Sequence, residues 1–375
     1  MSPAAELAEH YTRFRVADRL LLTGHSHQAW PDVARDGVIE AYDDAALAVE
    51  GKWARAEVRA ERLRAGVRML LDDPVAEVAL GASAHELLVR FLSALPLRSR
   101  PRVVTTDGEF DSARRQLDRL ADAGIELVRV PTAPLGTLAE RVAALVDTRT
   151  AAVVVSSVLF ETSRIVPGLA AVAEACERTG AELLVDAYHQ LGVVPWSVGA
   201  AGLAEAWVVG GGYKYLQLGE GNCFLRVPPH ARGAEPVVTG WFAHGGDRFA
   251  GSTYDPTSHY RAARVLNFFV EQDLTPPRLR EISLHQRGLL AREFDALGLP
   301  DELVTRDRDT PAEAFGGFLA LASPQAARLR DGLAERGVHA DHRGQHLRLG
   351  PAPYLTDEQL TEAMGLLGEA AASVR

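Results

Sequence analysis

From Ala76 to Val227 the chain repeats one pattern: a short apolar run, then an amphipathic stretch. AEVAL (76–80) precedes SAHELLVRFLSAL, and RVVTT (102–106) precedes SARRQLDRLADAG, which Gly124 stops. ELVRV (126–130) precedes LAERVAALVD, and AAVVVSSV (151–158) precedes LAAVAEACERTG. AELLVDA (181–187), EAWVVG (205–210) and NCFLRV (222–227) complete the series. Runs this continuous in Val and Leu, without strict alternation, predict strands buried on both faces. The expected fold class is therefore α/β, a mostly parallel sheet flanked by helices.

Near residue 240 the texture changes. GWFAHGGDRFAGSTYDPTSHY reads as a Gly- and aromatic-rich loop, and a long helical pattern starts at about Arg261, breaks at Pro276–Pro277 and resumes to about Leu297. GGFLALA, PQAARLRDGLAERG, VHADHRGQHLRLG and an amphipathic helix after Thr356 then predict a smaller α+β domain. The expected division is an N-terminal arm and helix over 1–50 that joins the small domain, a large domain over 51–260, and a small domain over 261–375.

The 375 residues carry a net charge of −10 with both signs interspersed, which gives no reason to expect nucleic acid or an anionic membrane as partner. No run of about 18 apolar residues predicts a membrane span. MSPAAELAEHYTRF lacks a basic region followed by an apolar stretch, so no signal peptide is expected. Cys176 and Cys223 are far apart with no metal-binding spacing, so the expectation is a reduced, cytoplasmic protein without a metal site. Among 40 basic residues only Lys52 and Lys214 are lysines, which draws attention to each.

Lys214 sits in GGGYKYL, just past an apolar run. Two other pieces also fall at the carboxyl ends of expected strands, where open α/β sheets bind ligands. VDAYHQ carries Asp186 and His189, and GASAHELL carries Ser83 at a helix start. A pyridoxal 5'-phosphate site needs a lysine to form a Schiff base with the aldehyde and a carboxylate against the pyridine nitrogen. It also needs a helix N-terminus for the phosphate and a flat side chain over the ring. Lys214, Asp186, the turn at Ser83–His85, and Phe110 or His189 could supply these four. The plainer readings are a solvated loop lysine, a turn aspartate, and a capping box in SAHE.

The stretch LLVDAYHQLGVVPWSVGAAGLAEAWVVGGGYKYLQLGEGNCFLRVPP resembles the cofactor segment of the kynureninase branch of the class V aminotransferase family, D-x-A-H-x-x-G…Y-K-Y-L-x-x-G-x-G. Tyr188 stands where that pattern has Ala. LTGHSHQAWP, SSVLFETSRIVP, GWFAH and HLRLGPAPYLTDEQL are similar to further family segments in the same order. The resemblance implies an aspartate-aminotransferase-like fold (PLP fold type I) and a homodimer with active sites at the interface. It also implies hydrolytic Cβ–Cγ cleavage of an amino acid, L-kynurenine giving anthranilate and L-alanine. Lys214 would carry the cofactor, Asp186 would pair with the pyridinium, and His189 would lie beside it. Tyr213 would reach the phosphate and take part in proton transfer, with Ser83 and Ala84 giving backbone N–H groups to the same phosphate. Phe110 would stack on the ring, and Trp241 would approach the phosphate from the neighbouring subunit. Arg348 would bind the substrate carboxylate, with His25, Ser26 and His27 near the mouth.

The family's substrate-contacting His and Asn have no counterparts. Trp53 lies near the first position, and Ser258, His259 and Arg261 lie near the second. This leaves open a class V aminotransferase, an epimerase or a lyase acting on another amino acid, and a degenerate non-catalytic binding protein. A cysteine desulfurase is disfavoured, because neither cysteine falls on a late loop.

Overall fold

A computed structural model of the chain describes residues 2–245 and 247–374; Met1, Gly246 and Arg375 lie outside it. Seven strands form the main sheet: β1 (Glu77–Gly81), β2 (Arg102–Thr106), β3 (Glu126–Val130), β4 (Thr150–Ser156), β5 (Glu182–Asp186), β6 (Trp207–Gly211) and β7 (Cys223–Val227). Their spatial order is β1-β7-β6-β5-β4-β2-β3. Only β7 runs against its neighbours; β2 to β6 pair in parallel. All seven are the runs read from the sequence, within two residues at each end.

The longer helices are α1 (Val33–Leu47), α2 (Lys52–Leu70), α3 (Ala84–Ala94), α4 (Asp111–Asp122), α5 (Leu169–Thr179), α6 (Thr257–Glu271), α7 (Pro276–Ala296), α8 (Ala326–Glu335) and α9 (Asp357–Val374). Side chains of β4, β5 and β6 alternate between two apolar layers. Ala152, Val154, Leu184, Trp207 and Val209 pack with Leu87 and Phe91 of α3, while Val153, Val155, Leu183, Val185 and Val208 pack with Val172 and Cys176 of α5. Burial on both faces is why these strands read as unbroken apolar runs.

Four short strands form a second, antiparallel sheet: β8 (Thr305–Arg306), β9 (Leu319–Ala322), β10 (Asp341–Arg343) and β11 (His346–Leu349), in the order β10-β11-β9-β8. The β10–β11 hairpin sets Asp341 directly opposite Arg348. Leu20–Leu21 pairs in parallel with Val338–His339, and Gly24 and Gly350 hold the next residues together by backbone bonds. That pairing delivers His25 to the same place.

Three details differ from the sequence reading. The helical pattern does break between α6 and α7, but just before Pro276 and Pro277, which occupy the first turn of α7, where a missing N–H costs nothing. The N-terminal arm is not simply extended, since Pro3–Ala8 is helical with Ser2 as cap. Helix α2 was not expected. Its buried face is built from Ala56, Ala60, Leu63, Gly66, Val67 and Leu70, too small on average to stand out among its arginines and glutamates. The small face is functional in packing terms: a Cβ on Gly66 would lie 2.8 Å from Leu266 of α6. Among the described residues, no helix is long and apolar enough to cross a membrane.

Candidate active site

At the carboxyl ends of β1, β4, β5 and β6 a cavity of about 250 Å³ opens. Ser83, Ala84, Phe110, Asp186, His189, Tyr213 and Lys214 all line it. These residues come from four separate segments that the sheet order brings together.

Lys214 follows β6 after the turn at Gly212. Its amine is buried and lies 2.6 Å from His189 Nε2. Burial pushes the amine down to about 7, against a smaller opposite pull from the Asp186 charge. Burial also holds His189 well below the ordinary imidazole range, and its Nδ1 has no partner among the described residues. The Lys214–His189 contact is thus one between groups that share few protons at neutral pH. Three aromatic rings surround the amine: Tyr188 at 4.7 Å, Phe110 at 5.6 Å and Tyr213 at 5.8 Å.

Asp186 ends β5. Its Oδ1 accepts the Tyr188 N–H at 2.9 Å, the local turn bond expected of Asp at such a position. Burial raises its carboxyl above the usual range, while the Tyr188 N–H and the Lys214 charge pull it back. A carboxylate desolvated at a cavity wall, with no strong cation on it, is suited to receive a protonated ring nitrogen.

Ser83 caps α3: its Oγ accepts the Glu86 N–H at 3.1 Å, and Glu86 returns a carboxylate to Ala82 N–H at 2.9 Å. The capping box is therefore real, and the N-terminus it fixes faces the cavity. Cys223 of β7 lies against the Ala84 N–H, and the Tyr188 hydroxyl lies 3.6 Å from Cys223 Sγ. Burial pushes the Cys223 thiol up to about 11 and Tyr213 up to about 12, so both keep their protons. The end of the cavity is thus a set of neutral donors at a helix N-terminus, the chemistry a phosphate requires. Gly211 forms part of this floor: a Cβ there would meet Cys223 Sγ at 2.6 Å and the Tyr188 ring.

Pyridoxal phosphate therefore fits the residues present. Lys214 would hold its aldehyde, Asp186 its ring nitrogen, and the α3 N-terminus with Tyr213 its phosphate. Phe110, at the start of α4, stands edge-on to Phe160 at 5.4 Å and offers an aromatic wall.

Arg348, His25, Ser26 and Trp241 do not line this cavity. Arg348 is buried and forks onto Asp341, with Nε to Oδ1 at 2.8 Å and Nη2 to Oδ2 at 2.5 Å, while Nη1 donates to Phe160 O at 2.5 Å. Asp341 also meets His25 Nε2 at 2.9 Å. Burial pushes His25 down to about 4. Ser26 Oγ turns back to the Thr23 carbonyl, and His27 stacks on Tyr213 at 5.2 Å. Trp241 is 71% exposed.

The sequence reading did not single out Asp341 or Cys223, nor a role for Tyr188. Asp341 was detectable in principle, since a tight turn at Arg343–His346 in ADHRGQHLRL puts positions 341 and 348 across from each other. A second cavity of about 970 Å³ adjoins the first at Ala82, Glu220 and Gly221, and Phe242, Tyr254 and His259 line it.

No family model matches the chain. It is 25% identical over 337 residues to the uncharacterized aminotransferase YcbU of Bacillus subtilis (strain 168), covering 87% of this chain and 88% of the relative. It is also 25% identical over 324 residues to the kynureninase of Geobacillus thermodenitrificans (strain NG80-2), covering 79% of this chain and 73% of that one. Among solved structures it superposes on a C-DES mutant with glycine covalently linked to the PLP cofactor. The TM-score is 0.82 at 17% identity, over 96% of this chain and 99% of that chain. The cysteine desulfurase CsdA from Escherichia coli gives a TM-score of 0.79 at 16% identity, over 100% and 99% of the two chains.

Proposed function

Proceeding from a chain that is class V aminotransferase-like, of PLP fold type I, with a site for pyridoxal phosphate, we propose that it acts on an amino acid by kynureninase-like hydrolytic Cβ–Cγ cleavage. The observation that carries the reading is the Lys214 amine. It is buried, near neutral in proton affinity, and set in one cavity with Asp186 and the α3 N-terminus. When bound, pyridoxal phosphate supplies an aldehyde that captures an amine and a ring that takes up the electron pair left when a Cα–H bond breaks.

The chain's own residues do the rest. The Lys214 amine, which would hold the aldehyde, is a base with a proton affinity matched to neutral pH and would stand beside the reacting carbon. His189 steadies that amine through the 2.6 Å contact. Asp186 would pair with the ring nitrogen and favour its protonated form. Tyr213, whose hydroxyl keeps its proton, would donate to the phosphate and would be available for proton return. The aromatic rings of Phe110, Tyr188 and Tyr213 exclude water from the amine.

The adjoining cavity with Phe242, Tyr254 and His259 supports an aryl-bearing side chain on the substrate. Arg348 is the candidate for the substrate carboxylate, with Asp341 fixing the plane of the guanidinium. The exposed apolar stretch Val237, Val238 and Trp241 supports a homodimer. A second reading, transamination or a lyase reaction, is favoured by Trp53: it packs at 5.2 Å on Phe242, where the kynureninase pattern has a polar substrate contact. A persulfide-forming desulfurase is disfavoured, since both cysteines are buried and burial pushes both thiols up.

The test is product analysis with purified holoenzyme across amino acids, kynurenine and 3-hydroxykynurenine included. Alanine plus an aromatic acid supports the proposal. A keto acid, or turnover of other amino acids with none of kynurenine, rejects the cleavage reading in favour of the second.

A further inference from the structure

Behind the cavity wall stands an acid that the mechanism above does not use. Glu109 lies between β2 and α4, beside Phe110, and is 2% exposed. Three donors converge on its carboxyl group. Thr106 Oγ1 donates to Oε1 at 2.6 Å, Ser156 Oγ to Oε2 at 2.6 Å, and Ser156 N–H to Oε1 at 3.2 Å. Three donors converging on it favour the charged form of the carboxyl group.

Ser156 is also the Cα partner of Asp186 in the neighbouring strand. Glu109 is thus held by the residue that stands beside Asp186 in the sheet. The groups facing it are Thr106 from β2, Ser156 from β4 and the Asp186 charge from β5; Asp186 in turn faces Lys214. Burial and, more weakly, the Asp186 charge raise Glu109 to about 7, against the three donors. The Asp186 charge, acting in a desolvated setting, raises the affinity of Glu109 for positive charge.

We propose that Glu109 is a positioning residue for Asp186: its carboxylate, held by Thr106 and Ser156, strengthens the grip of Asp186 on a protonated ring nitrogen. This rests on the reading of the cavity as a pyridoxal phosphate site. A proton on the ring nitrogen balances the Asp186 charge, and so lowers the cost of charging Glu109. The two carboxylates then act on one cation. A mere space-filling residue would need neither the charge nor three donors.

The experiment reconstitutes the protein with pyridoxal phosphate labelled with ¹⁵N in the ring and follows that nitrogen by NMR against pH. In the wild type the nitrogen stays protonated to higher pH than in Glu109→Gln. The midpoint falls by about one pH unit in the variant, a tenfold loss of proton affinity, and Glu109→Asp recovers part of the shift. Should Glu109→Gln not fold, Ser156→Ala serves. Loss of the Oε2 donor makes the charged form of Glu109 costlier and moves the midpoint the same way. An unshifted midpoint in a folded, loaded variant overturns this inference alone, whereas a wild type that takes up no cofactor overturns the cofactor-site reading with it.

Discussion

Lys214 Nζ lies 2.6 Å from His189 Nε2, and burial depresses the proton affinity of both groups. The amine, near 7 in place of 10.5, is half unprotonated at neutral pH. The rate at which the apoprotein captures pyridoxal phosphate is therefore expected to rise with pH through about 7 and then level off. Stopped-flow absorbance between pH 6 and 9 reads this directly, and a flat profile contradicts it.

The same shift makes a statement about stability. Between pH 7 and 10.5 the unfolded amine holds a proton that the folded one has lost. The apoprotein therefore gains stability as pH rises through that window. Lys214→Met is expected to remove this part of the slope, as measured by urea unfolding at a series of pH values.

Lys214→Ala is expected to abolish the covalent link. Borohydride reduction followed by mass spectrometry should add the cofactor's mass to the wild type and not to the variant. Turnover should fall by about 10²–10⁴-fold.

Asp186→Asn keeps the shape and the Tyr188 N–H bond but loses the charge. The expected loss is roughly 10²–10³-fold in kcat, with KM little changed. Equal losses in binding and turnover would instead indicate that Asp186 serves only to hold the cofactor.

Arg348 is gripped by Asp341 through both nitrogens of its fork. Arg348→Lys cannot reproduce that plane, and KM for the amino acid is expected to rise about 10–100-fold, the worth of a charge-assisted bond. Asp341→Asn should raise KM less. Steady-state kinetics on both variants separates a carboxylate clamp from a buried structural pair, which would lower stability and leave KM unmoved.

How far the sequence reached follows from the kind of force at each position. The strands were legible because burial on both faces leaves unbroken apolar runs, and the Asp186, Lys214 and Ser83 cluster was legible because strand ends in such sheets converge. Helix α2 was hidden because half of its buried face is Ala and Gly, which carry little apolar signal. Asp341 was hidden because its importance is a cross-strand relationship with Arg348, fixed by a hairpin register and not by any motif. Glu109 lay inside DGEFDSARRQ, where Phe110 drew notice; that its neighbour is buried against Ser156 depends on the parallel pairing of β2 with β4, which no local pattern encodes.

Strand β7 is clasped between β6 and β1, running against both. During synthesis β1 leaves the ribosome early, yet its sole partner in the sheet emerges only with Cys223–Val227. Until then an apolar edge stays unpaired, and the pocket wall between Ala84 and Cys223 cannot close. Assembly of the cofactor cradle is therefore expected to be a late folding event.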